Sequence, residues 1–118
     1  YYYSSPTLTN CTFENNTANY NGAGVYSNES SAALIGCTFT NNTANNSGGG
    51  MGNWSNSNPT LTDCTFTANT ANYNGGGISS YESSATLTNT TVCSNIPDQI
   101  DGEWTDGGGN TIADTCPK

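Results

Sequence analysis

A chain of 118 residues with nine acidic side chains, one lysine, no arginine and no histidine carries a net charge of −8. That balance excludes nucleic acid and anionic membrane as partners, because both require basic side chains to neutralise phosphate. With only 8 % charged residues, solubility must rest on Asn, Thr and Ser; no run is long and apolar enough to insert into a membrane.

The chain opens on Tyr1, Tyr2 and Tyr3 with no initiator Met or signal peptide, which reads as a processed product or a fragment of something longer. "CTFENNTANYNGAG" at residues 11–24 then returns as "CTFTNNTANNSGGG" at 37–50 and "CTFTANTANYNGGG" at 64–77. Leu8, Leu34, Leu61 and Leu87 precede successive copies at intervals of 26, 27 and 26 residues. Three residues after each Leu comes Cys11, Cys37, Cys64 or Thr90, and two further on Phe13, Phe39, Phe66 or Val92. Nine residues after each Phe a glycine turn opens at Gly22, Gly48 or Gly75, followed by Val25, Met51 or Ile78.

Within each copy the apolar residues alternate with Thr12, Thr38, Thr65 and Thr91, the period of a strand. About three strand runs per copy are separated by Asn and Gly, and no segment has helical periodicity. A unit this short cannot bury its apolar face alone, but stacked units can. The pattern predicts an all-β fold, a parallel β-solenoid of about four turns of 26–27 residues. It predicts one domain over 1–118, with regular coils over 1–92 and an irregular final coil and cap over 93–118. Coils pairing in parallel at about 4.8 Å would align the Leu, Cys, Phe and Val/Met/Ile positions as core columns. Asn10, Gly36, Asp63 and Asn89 fall where bends need positive φ. Stacked Asn side chains can hydrogen-bond along the axis and satisfy backbone at the corners.

Phe13 with Asn16, Phe39 with Asn42 and Phe66 with Asn69 form F-x-x-N, and Gly48 to Met51 and Gly75 to Ile78 form G-G-G-hydrophobic. Gly22 to Val25 carries an Ala in the same place. These motifs resemble the repeats of right-handed parallel β-helix proteins, among them the polymorphic outer-membrane and adhesin-like families. The resemblance covers about residues 5 to 116 and implies the fold. Its members include adhesins, passenger domains and carbohydrate enzymes, so it implies function weakly.

After Leu87 the pattern changes: Thr90 and Val92 take the Cys and Phe columns, and Cys93 moves to the outward phase. The ending "CSNIPDQIDGEWTDGGGNTIADTC" resembles that of extracellular bacterial β-helix arrays. This resemblance implies a Cys93–Cys116 disulfide and, with it, an oxidising compartment, extracellular or at the cell surface. Cys11, Cys37 and Cys64 then form one column, read as free buried thiols, although its spacing leaves room for one pair. A linear column without CxxC spacing or His does not suit zinc. Asp98, Asp101, Glu103 and Asp106 cluster in the ending without an EF-hand spacing and read as a solvated loop.

No catalytic residues and no cofactor are indicated. Lys118 is the only base, no Ser–His or Cys–His arrangement can exist, and Glu14, Glu29, Asp63 and Glu82 form no evident pair. Thr-x-Thr runs flanking Leu and Phe resemble the ladders of insect-type ice-binding proteins. Ala33, Ile35, Glu14 and Cys93 interrupt them. Tyr20, Tyr26, Trp54, Tyr73 and Tyr81 are candidates for stacking on sugars. Of seven Asn-x-Ser/Thr sequons, Asn28 and Asn53, on variable loops, are the preferred glycan acceptors.

A β-helix exposes unpaired strands at its ends. Tyr1 falls at the phase that the chain reaches again near Ile112. End-to-end stacking of copies through Tyr1, Tyr2, Tyr3 and Ile112 would give a filament. The other reading is a piece of a longer cell-surface array. Function is therefore expected to be structural and non-enzymatic, with self as the first partner and a glycan or cell surface as the alternative.

Overall fold

The computed structural model describes residues 3–117. Seventeen short strands among them, β1 to β17, wind as a parallel β-helix with no α-helix. The Leu-bearing strands β1 (Thr7–Thr9), β5 (Ala33–Ile35), β9 (Thr60–Thr62) and β13 (Ala85–Thr88) form one sheet with β16 (Trp104–Asp106). The Phe-column strands β2 (Thr12–Glu14), β6 (Thr38–Thr40), β10 (Thr65–Thr67), β14 (Thr91–Cys93) and β17 (Thr111–Ala113), the last two with Val92 and Ile112 in that column, form the next. A narrow sheet holds β3 (Thr17–Ala18), β7 (Thr43–Ala44) and β11 (Thr70–Ala71). The last sheet holds β4 (Val25–Asn28), β8 (Met51–Trp54), β12 (Ile78–Tyr81) and β15 (Ile100–Asp101). Each full coil thus has four strand runs, one more than the sequence pattern shows. The additional run is two residues long, too short for alternation to reveal.

The register follows the repeat: Leu8 pairs with Leu34, Leu34 with Leu61, and Phe39 with both Phe13 and Phe66. Leu34, Leu61, Leu87, Cys37, Phe39, Phe66 and Val92 are fully buried, as is Cys64 to within 1 %. Leu8, Cys11 and Phe13, on the first coil, are only partly buried against this core. The Phe rings stack face to face, with centroids 4.7 Å apart for Phe13–Phe39 and 4.3 Å for Phe39–Phe66. Gly50 is required by that stack, since a Cβ there would lie 2.7 Å from the Phe66 ring and from the Gly77 carbonyl oxygen.

One-residue corners join the strands. Asn10, Gly36, Asp63 and Asn89 have φ between 48° and 64°, and Asn15, Asn41, Ala68 and Ser94 have φ between 56° and 59°. The residue after the second corner carries the axial ladder. Asn16 N donates to Asn42 Oδ1, Asn42 N to Asn69 Oδ1, and Asn69 N to Asn95 Oδ1, at 2.9–3.1 Å. The Nδ2 groups of Asn42, Asn69 and Asn95 reach back to the carbonyls of Phe13, Phe39 and Phe66. Buried backbone that the corners would orphan is thereby satisfied. Serines repeat the device before the Leu strand: Ser4 N, Ser30 N and Ser57 N donate to the hydroxyls of Ser30, Ser57 and Ser83.

The Cys93–Cys116 disulfide is present, with Cα atoms 5.0 Å apart. Cys93 faces out from the apolar core yet is fully buried, because the chain end crosses over it and Cys116 N bonds Ser94 Oγ. The bridge spans 23 residues, about one coil, and so ties the last coil into a ring.

Candidate functional site

Three features are candidates for function: the two ends of the helix and one outer face. At the C-terminal end the Leu, Cys and Asn columns change character, while the Phe column runs on to Ile112 and the Val/Met/Ile column to Ile100. Leu87 pairs with Asp106, so the Leu column finishes on an exposed carboxylate. Asp106 Oδ1 accepts from Gly108 N at 2.9 Å and from Asn110 Nδ2 at 2.6 Å. The Cys column passes to Thr90, whose hydroxyl bonds the Thr88 and Leu61 carbonyls and accepts from Cys64 N. Asn110 Oδ1 then accepts from Thr90 N. The Asn ladder finishes on Gln99, whose Oε1 accepts from Asn95 N while its Nε2 donates back to Asn95 O.

The N-terminal end has none of these closures among the described residues. Leu8, Cys11 and Phe13 present part of the core, and Asn16 is exposed at the head of its ladder. Of the residues considered for self-association, Tyr1 and Tyr2 lie outside the described residues. Tyr3 is 66 % exposed, and Ile112, paired with Val92 at the far end, is 37 % exposed.

The outer face of the β4–β8–β12–β15 sheet gathers three of the five aromatics considered for sugar stacking. Tyr26 and Trp54 have ring centroids 5.9 Å apart, Trp54 and Tyr81 6.3 Å. Trp54 sits two residues after Gly52 on the same face of β8, and Gly52 pairs with Tyr26. A Cβ on Gly52 would fall 3.0 Å from the indole, so the ring reclines over its own strand towards Tyr26. Beside Tyr26 a cleft of about 460 Å³ is lined by Ala18, Asn19, Tyr20, Asn21 and Tyr26. Tyr73 is exposed two coils from Tyr20 and takes no part in the row.

One of the two preferred glycan acceptors needs correction. Asn53 is fully buried: it follows Met51 by two residues on the inward phase of β8, and its Nδ2 donates to Ser80 Oγ. It cannot carry a glycan in the folded chain. Asn28 is half-buried, with its Nδ2 against the Tyr26 hydroxyl at 3.4 Å. The exposed sequon asparagines are Asn10, Asn15, Asn41, Asn45 and Asn89.

The acidic residues of the ending are dispersed. Asp98 Oδ1 accepts from Gly75 N, Asp101 lies on β15, and Asp106 caps the Leu column. Among the described residues no group of three metal-ligating side chains converges. The Thr columns are uneven: Thr12, Thr38, Thr65, Thr91 and Thr111 align without a break, whereas the neighbouring column reads Glu14, Thr40, Thr67, Cys93 and Ala113.

Sequence reasoning missed the serine ladder and the aspartate cap. Ser4, Ser30, Ser57 and Ser83 recur four residues before each Leu, a signal available in the repeat itself. Asp106 could not be placed by counting. The last coil goes from Asp101 to Trp104 where the coil before it goes from Ser79 to Ala85.

Residues 1–116 match the family model described as right handed beta helix region. None of the curated proteins and none of the solved structures compared with the chain matches it.

Proposed function

The chain belongs to the right-handed β-helix family, and from that membership we propose that it is a non-enzymatic extracellular module closing one end of a cell-surface β-solenoid array. The observation that carries this reading is the contrast between the Leu column's two ends, Leu8 partly open and Asp106 carboxylate-capped. A coil stacked on the C-terminal face would bury that carboxylate, in a chain whose only basic side chain is Lys118. Burying an unpaired charge is strongly unfavourable. The N-terminal face offers apolar side chains and open strand edges, the surface another coil of the same register would cover. The disulfide supports an oxidising, extracellular setting. The absence of His and Arg from the sequence and the separation of Glu14 on β2, Asp63 at the corner after β9, and Glu29 and Glu82 two coils apart support a non-catalytic role.

Chains that associate through one face only stop at pairs, whereas two complementary faces give open filaments. Negative-stain imaging and light scattering of the purified chain should therefore show particles no larger than two copies. Long fibres would overturn the one-ended reading in favour of end-to-end polymerisation. The aromatic row favours a second reading, an adhesin-like module that holds a ligand on its outer face.

A further inference from the structure

We propose that the Tyr26–Trp54–Tyr81 row is a binding track for a cationic, lysine- or arginine-bearing extended polypeptide. The inference rests on the adhesin-like reading of that face and names its ligand. The indole reaches over Gly52 and stacks with Tyr81; Trp54 stays partly exposed and Tyr81 is exposed, so the row presents aromatic surface to solvent. The face of an aromatic ring attracts an ammonium or guanidinium, Trp most strongly.

The acidic residues select a cation over a neutral ligand. Glu29 follows Asn28 and Glu82 follows Tyr81 at the end of this sheet, two coils apart on the same side of the row. Both are exposed and both hold φ 51°, a left-handed corner that suits Gly or Asn and is uncommon for Glu. Asp101 continues the column of Tyr26, Gly52 and Ser79 on the outer face. Three acidic residues therefore lie on or next to the strands that carry the three rings, in a sequence with a single lysine and no arginine to neutralise them. A basic side chain lying over Trp54 would meet both attractions at once. The uncharged cleft at Tyr20 and Tyr26 is suited to an aliphatic stem. A chain running along the axis would pass one ring per coil.

The test is titration of the whole chain with an acetylated, amidated alternating Lys–Gly octapeptide, in parallel with cellohexaose and chitohexaose, by calorimetry at low and moderate salt. Saturable peptide binding is expected, weakened by added salt. Trp54→Ala, which leaves the net charge unchanged, should weaken it by about fivefold or more. Tyr81→Ser, at a side chain 58 % exposed, removes a ring without touching the core and should also weaken it. Glu29→Gln with Glu82→Gln should reduce its salt dependence. Peptide binding equal in the Trp54 and Tyr81 variants would mean diffuse attraction to an acidic protein, and would overturn the proposal. Trp54-dependent binding of an oligosaccharide without peptide binding would overturn the cationic ligand but keep a binding face. No binding by any probe would overturn both.

Discussion

The first and last coils of this helix solve the same problem in opposite ways. Within this chain each is paired with a single neighbouring coil, so each presents core columns and strand edges on its other side. The last coil ends the Leu column on Asp106 and follows Thr90 with Asn110, keeps apolar Ile112 and Ile100 in the other two columns, turns the Asn ladder back on itself through Gln99, and closes into a ring through Cys93–Cys116. The first coil keeps the same residue types as the interior, and Leu8, Cys11 and Phe13 stay partly exposed. Polar substitution at a column's end costs little because the group still reaches water, yet it makes addition of another coil expensive. The two ends therefore differ in what they permit more than in how well they are packed.

Removing the cap should abolish that difference. Asp106→Leu extends the Leu column to a fifth apolar rung beside the exposed Ile112. The C-terminal face then resembles the first coil's, and the two can stack head to tail. The expected outcome is growth from small particles to fibres in negative stain. An unchanged particle size, with circular dichroism showing the fold intact, would mean that the carboxylate is not what limits association.

The interior of the comparison was written in the repeat, and its ends were not. Intervals of 26 and 27 residues put Leu, Cys and Phe in columns, and any in-register parallel stack must bury them together. The corner at Asn10, Gly36, Asp63 and Asn89 was equally legible, because positive φ selects Asn and Gly, whereas the corners holding Ala68, Ser94, Glu29 and Glu82 carry no such signal. Asn53 misled because the four-residue strand β8 places it inward two residues after Met51, a phase that the surrounding Gly, Trp and Ser conceal. Asp106 was hidden because the final coil shortens its corner, and counting fails once a turn changes length. Spatial assembly of Tyr26, Trp54 and Tyr81 depended on Gly52 vacating the outer surface, which no spacing rule expresses.

A single ladder residue measures how far the open end differs from the interior. Asn69→Ala removes the acceptor of Asn42 N and the donor to the Phe39 carbonyl, both in fully buried surroundings. Leaving such groups unpaired should cost about 3 kcal/mol. Asn16→Ala removes only the side-chain bond to Asn42 Oδ1, which continues to accept from the Asn16 backbone. Its cost should be under about 1 kcal/mol. Urea denaturation of both variants reads the gap. Equal losses would mean that the first coil is as tightly held as the third.

The thiol column provides the finest gauge of the same gradient. Cys11 is half-exposed on the first coil, whereas Cys37 and Cys64 are buried, with their thiols against the Leu8 and Leu34 carbonyls. Burial pushes the Cys64 thiol from an ordinary 9.0 up to about 11. An unfolded chain releases that proton first, so the contribution to stability is complete below about pH 9 and is lost as pH rises through about 11. Denaturation midpoints measured from pH 8 to 11 should fall more steeply for the native chain than for Cys64→Ala. The variant starts lower because of the cavity it leaves, but it lacks the titrating group. Parallel slopes would mean that Cys64 is solvated in the folded chain, and the core at the third coil would then be as open as the first.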